Sequence, residues 1–177
     1  VDAARRARTM RNHTATHLLH RALRNTVGEQ ARQAGSLVTP DYLRFDFPFD
    51  RALTDAERRV IEAEVRRVVR EDRPVAPAYM PMAEAVALGA DAFFDEKYGE
   101  TVRTVAVESY SRELCGGTHC RATGQIGGFL ITAERSIGSG MRRIEAVTGD
   151  AADALVAERF GLLERIASAV AAQTIDA

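Results

Sequence analysis

Two short segments, far apart in the chain, restrict what it can fold into more than any other feature. They are His13-Thr14-Ala15-Thr16-His17 and Cys115-Gly116-Gly117-Thr118-His119. Residues four apart on a helix stack on one face with Cβ atoms about 5–6 Å apart. Imidazoles so placed can share one metal ion at nitrogen–zinc distances of about 2.0–2.1 Å. A thiolate and a third imidazole, presented by a loop softened by two glycines, would complete a tetrahedron. The spacing therefore predicts a Cys-His₃ zinc site made of His13, His17, Cys115 and His119, and a fold that brings both segments together.

Taken alone, the histidine pair reads equally well as two part-buried side chains satisfied by hydrogen bonds. The second segment tips the reading toward a metal. Thr14 stands where H-E-x-x-H metalloproteases carry their glutamate base, so that mechanism is excluded. Two roles for the metal stay open. It either activates a water at an open position, or holds the pocket's shape with four ligands and polarises a substrate. A metal-free alternative makes Cys115 a nucleophile activated by His119, but it leaves His13 and His17 without a role. Cys120 is expected to point away, as a core or surface thiol. His20 is expected as a polar residue at the edge of an apolar stripe.

The chain's 177 residues suit one domain with a proper core, and its net charge of −1 argues against a protein that wraps nucleic acid over its whole surface. Every basic residue except Lys97 is arginine, the side chain whose planar fork donates two bonds to phosphate. With Cys115 and Cys120 so close, a disulfide between them would close a very short loop for little entropic return, and reduced thiols are expected. No apolar run approaches the roughly 20 residues that span a bilayer, and residues 1–11 lack the apolar core of a secretory signal. A cytoplasmic location away from membranes is expected.

Residues 1–11 read as a solvated first turn or a frayed end. From Asn12 the residues Ala15, Leu18, Leu19, Ala22, Leu23 and Val27 make a helical stripe, to be ended by Gly28 or Gly35. Strands are expected at 36–39 and 42–47, with Leu43, Phe45 and Phe47 facing one way and Arg44 and Asp46 the other. Asp46 and Asp50 read as solvated acids about the Pro48 bend. Thr54-Asp55-Ala56-Glu57 fits a capping box opening a helix that buries Val60, Ile61, Val65, Val68 and Val69. Pro74 ends it. An extended segment at 75–80, a short helix at 82–88 stopped by Gly89, core positions Phe93 and Phe94, and a strand at 101–108 follow. Further strands are expected at 127–133 and 143–147, joined through Ser136-Ile137-Gly138-Ser139-Gly140. A long helix from Asp150 to about Ala172 carries Val156, Phe160, Leu163, Ala167 and Val170 in a heptad-like seam, suited to self-association. Strands and helices without βαβ alternation indicate an α+β class, mostly antiparallel sheet packed with long helices.

Five stretches together resemble, in order, the motifs of the alanyl-tRNA synthetase editing domain. They are His13-Thr14-Ala15-Thr16-His17-Leu18-Leu19, Gln33-Ala34-Gly35-Ser36-Leu37-Val38, Leu43-Arg44-Phe45-Asp46-Phe47, Glu113-Leu114-Cys115-Gly116-Gly117-Thr118-His119, and the run from Ser136 through Met141-Arg142-Arg143-Ile144-Glu145 to Ala146. The resemblance covers about residues 9–149 and is closer to alanyl- than to threonyl-tRNA synthetase. Cys120 stands where the family usually has valine. The resemblance implies hydrolysis of the ester in tRNA(Ala) mischarged with serine or glycine, zinc held by His13, His17, Cys115 and His119, and catalytic roles for Cys115, Gln33 and Thr16. Gln33 belongs to the implied editing pocket, and Thr16 discriminates the substrate hydroxyl. Without that resemblance, Gln33 reads as a solvated residue and Thr16 as a helix-surface hydroxyl bonded to its own backbone.

The resemblance also implies partners: the aminoacylated 3′ end of tRNA(Ala) and the remainder of a synthetase in cis. No counterpart of the aminoacylation domain is present, so the chain is not expected to charge tRNA. Residues 1–149 are expected to form the deacylase domain and 150–177 a helical extension toward a further region. Gly138 and Gly140 offer backbone to the tRNA 3′ end, with Arg142 or Arg143 near phosphate, or else form a tight strand connection with arginines paired inside the protein. A free-standing trans-editing protein and an inactive zinc-stabilised tRNA-binding module are the competing readings.

Overall fold

A computed structural model describes residues 2–91 and 99–170. Its longest helix, α1 (Ala3–Val27), opens well before Asn12, because Asp2 caps it by accepting the Arg5 amide. The turns expected to fray are also tied to distant parts of the chain through Arg8–Asp41 and Arg11–Asp150 ion pairs. Gly28 ends the helix at φ +106°, a conformation that favours glycine. The stripe Ala15, Leu18, Leu19, Ala22 and Leu23 is fully buried.

That stripe lies on an antiparallel sheet built from β1 (Gly35–Val38), β2 (Leu43–Pro48), β6 (Phe129–Gly138) and β7 (Met141–Thr148), in the order β1-β2-β7-β6. The β1–β2 turn is closed by the Thr39 hydroxyl, which accepts the amides of Asp41 and Tyr42. Leu43, Phe45 and Phe47 enter the core as their alternation requires. Asp46 corrects the expectation of a solvated acid, since it is buried and accepts two bonds from the Arg143 guanidinium at 2.7 and 2.8 Å. Asp50 is exposed.

Helix α2 (Asp55–Arg70) begins at the expected capping box and covers the core with Ile61, Val65, Val68 and Val69. Val60 is half exposed, against expectation, because it sits one residue, about 100° of turn, off that stripe. Arg66 donates to the Phe129 carbonyl at 2.9 Å and ties α2 to β6.

A second antiparallel sheet, ordered β3-β4-β5, comprises β3 (Val75–Pro81), β4 (Thr101–Val107) and β5 (Ser111–Leu114), with the short helix α3 (Met82–Ala87) between the first two. Strand β5 and a 3₁₀ turn at Thr123–Ile126 were not expected, and β6 runs longer than expected, bending at irregular register on both sides of the 133–136 stretch. Phe93 and Phe94 lie outside the described residues. Helix α4 (Gly149–Ala169) leaves the sheet with only Gly149 and Ala152 buried, and Phe160, Leu163 and Ile166 are about half exposed. The expected end near Ala172 falls outside the described residues. The class is α+β, with antiparallel sheets, as the pattern indicated. No helix among the described residues is long and apolar enough to cross a membrane.

Candidate metal centre

The two sheets meet α1 so that the end of β5 delivers the Cys-His loop to the helix face carrying His13 and His17. One donor atom from each of His13, His17, Cys115 and His119 lies within 4.8 Å of the other three. Cys115 Sγ is 3.4 Å from His13 Nε2 and 3.3 Å from His119 Nε2. A tetrahedral zinc with the usual bond lengths has sulfur–nitrogen edges of about 3.5 Å, so these two edges fit and the longest must tighten. Neither cysteine forms a disulfide.

The imidazoles are held neutral, as ligation requires. Burial pushes His13 down, with Arg103 adding to the effect and a backbone hydrogen bond at Thr118 opposing it. Burial and then the facing His119 and His13 push His17 far down. His119 falls to about 3, from burial first and then the neighbouring His13 and Arg103. His17 Nδ1 is buried with no hydrogen-bond partner, as a metal-directed nitrogen would be. These features fit a Cys-His₃ site.

Several groups around the ligands escaped the sequence reading. Glu113, fully buried, lies 3.4 Å from His17 Nε2 and 3.1 Å from His20 Nδ1. A carboxylate on a ligand histidine's other nitrogen fixes its ring and tautomer. Burial raises the Glu113 carboxyl against the hydrogen bond with His20. His20 is therefore a buried partner of Glu113 rather than a polar edge residue, with its ring tilted against Phe45 at a centroid distance of 5.4 Å. Thr14, which first served only to exclude a glutamate base, has its hydroxyl 3.2 Å from His119 Nδ1 and accepts the Cys120 amide at 3.0 Å. Arg103 donates to the Cys115 and Gly117 carbonyls at 2.6 and 2.9 Å and clamps the loop onto β4. The two loop glycines differ: a Cβ on Gly117 would fall 2.6 Å from His13 Nδ1, whereas one on Gly116 meets nothing within 4 Å. Glu113 and Thr14 lie inside the quoted motifs, which assigned neither of them a supporting role, while His20 and Arg103 lie outside them.

The remaining sequence candidates are less central. Thr16 is buried, and its hydroxyl donates to the Asn12 carbonyl at 2.8 Å, the backbone bond expected of such a threonine. Gln33 is half-buried in the loop before β1 and is not one of the four clustered donors. Cys120 is a core thiol. Arg142 and Arg143 pair with Glu134 and Asp46, and Gly138 and Gly140 form the β6–β7 turn, so both take the structural alternative.

The model of the threonyl and alanyl tRNA synthetase second additional domain matches residues 102–145, from β4 through the Cys-His loop into β7. The chain is 53% identical over 167 residues to an alanine–tRNA ligase of Desulfosudis oleivorans, covering 94% of this chain and 19% of that protein. It is 51% identical over all 177 residues to that of Listeria welshimeri, 20% of that protein, and 52% identical over 166 residues to that of Thermotoga maritima, covering 94% of this chain and 19% of that protein. The chain thus spans about a fifth of the length of the curated relatives it matches. It is similar throughout to one segment of alanine–tRNA ligases, and its residues 102–145 match the threonyl and alanyl tRNA synthetase second additional domain.

Proposed function

We propose that this chain hydrolyses the aminoacyl ester of tRNA(Ala) mischarged with serine, and also with glycine, at a zinc site held by His13, His17, Cys115 and His119. The observation that carries the reading is the convergence of those four donors from two distant segments. When bound, zinc supplies a fixed positive charge that polarises an oxygen beside it.

The chain's own groups supply the rest. Aminoacyl ester hydrolysis needs an oriented water and stabilisation of the developing oxyanion. Cys115 Sγ accepts the Gly117 amide at 3.4 Å and touches both the His13 and His119 rings. Because the Thr16 hydroxyl spends its proton on Asn12, its oxygen is left to accept from a substrate hydroxyl. Serine satisfies that acceptor and alanine leaves it unpaired, which separates the serine ester from the correct product; glycine, without a hydroxyl, is not selected through this contact. Gln33 is proposed to line the same pocket, as its motif implies. The remainder of a synthetase in cis presents the 3′ end. A synthetic site that cannot fully exclude serine or glycine from an alanine pocket gives such a second sieve its use.

Purified protein offered Ser-tRNA(Ala) and Ala-tRNA(Ala) tests this. Release of serine with alanine largely spared is expected, and Cys115→Ala should abolish most of it. Binding of both tRNAs without turnover would make the chain an inactive tRNA-binding module instead.

A further inference from the structure

Most of the chain's arginines near the candidate site are already paired. Arg8, Arg11 and Arg24 of α1 hold Asp41, Asp150 and the Asp91–Glu29 pair, while Arg142 and Arg143 hold Glu134 and Asp46. Arg5 and Arg6, in the first turn of α1, are not among these paired arginines. Both are exposed, and neither side chain has an ion-pair or hydrogen-bond partner among the described residues. With Asp2, Thr9 and Thr118 they line an open cavity of about 420 Å³. Thr118 lies between Gly117 and the ligand His119, so this cavity shares a wall with the metal centre.

The helix makes the two sites continuous. At 3.6 residues per turn, Arg6 comes round to within about 20° of His13, and Thr9 to within about 40°. The rise from Arg5 and Arg6 to His13 is about 10–12 Å. Groups bound there therefore lead into the centre rather than sit on it. Two guanidiniums face one carboxylate, and that carboxylate is engaged with the Arg5 amide as the helix cap. Arg103 adds positive charge beneath the loop. An anionic strand whose end lies at the cluster meets complementary charge on this side.

We propose that Arg5 and Arg6 form a phosphate subsite for single-stranded RNA, binding the phosphodiesters that precede the esterified 3′ nucleotide. This rests on the reading of the substrate as an aminoacyl-tRNA. Guanidinium forks suit such contacts, and a subsite built on phosphates alone is indifferent to base identity.

The test is fluorescence anisotropy of a short, 5′-labelled single-stranded RNA with a free 3′ hydroxyl, titrated with the 177-residue protein over a range of salt. The double variant R5A/R6A should bind about ten-fold more weakly, and its plot of log affinity against log salt should flatten by about 1.4, for two lost contacts to a single strand. R5K/R6K, which keeps the charge, should retain most of the slope. R59A/R70A, removing two exposed arginines of α2, should stay within roughly two-fold of the wild type. Unchanged affinity and slope in R5A/R6A, or equal losses in R59A/R70A, would overturn the subsite. Serine release from Ser-tRNA(Ala), measured separately, distinguishes the two readings. Turnover together with unaltered RNA binding in R5A/R6A removes the subsite alone. Absent turnover with binding lost in R5A/R6A removes the hydrolase reading and keeps the subsite.

Discussion

At the scale of single residues, the candidate centre depends on neighbours to which the ligand motifs assign no role. Gly116 and Gly117 look interchangeable as text, yet only Gly117 stands against the His13 ring. Gly117→Ala should displace that ligand and lower the zinc content measured by emission spectroscopy, whereas Gly116→Ala should leave it near the wild-type ratio. Equal behaviour of the two variants would contradict the packing. Glu113 permits a second prediction. Removing an outer carboxylate from a ligand histidine typically costs about 10–100-fold in metal affinity. Glu113→Gln should show a loss of that order in competition with a chelator, with its circular dichroism unchanged. His20 and Glu113 were illegible as a pair because each is an ordinary polar residue until the fold brings them together across 93 positions. Thr14 was invisible for the same reason.

At the scale of elements, local chemistry was readable and tertiary context was not. The capping box at Thr54 and Glu57, the stop at Gly28 and the alternation through Phe45 and Phe47 are decided within a few residues, and each is present. Strand β5 has four residues, too few for a periodic signal, and its register comes from β4. Asp46 is buried only because Arg143 arrives from β7. The start of α1 was misread because its polar turns are held by Asp2, Asp41 and Asp150, two of them far along the chain. The cap of α2 is testable by itself. Thr54→Ala should cost about 1 kcal/mol in urea unfolding. Glu57 has a pH signature. The Arg51 guanidinium first, and then the Thr54 backbone, lower its carboxyl from 4.5 to about 2. A depressed folded value means the native state binds fewer protons, so this contribution is complete above the unfolded value and is lost as pH falls through the folded one. The stability gap between wild type and Glu57→Gln should hold steady above about pH 5 and close toward pH 2. A gap that widens on acidification would refute the assignment.

At the scale of the whole molecule, the proposed metal would be a cross-link between α1 and the loop after β5, joining one sheet's helix to the other sheet. Four candidate ligands were legible because metal chemistry constrains residue type and spacing tightly. Their support was not legible, because Arg103, Thr14 and Glu113 act only through three-dimensional proximity. A ligand that binds only the folded state stabilises it by about 2.7 kcal/mol at a hundred times its dissociation constant. Zinc removal by a chelator should therefore lower the unfolding midpoint of the wild type, and should leave Cys115→Ala nearly unmoved. The most direct test of the shared centre is X-ray absorption at the zinc edge of the purified protein. The predicted result is one zinc per chain with a single sulfur at about 2.3 Å and three nitrogens at about 2.0–2.1 Å, the sulfur shell vanishing in Cys115→Ser. A zinc shell without sulfur, or one unaltered by that substitution, would contradict it.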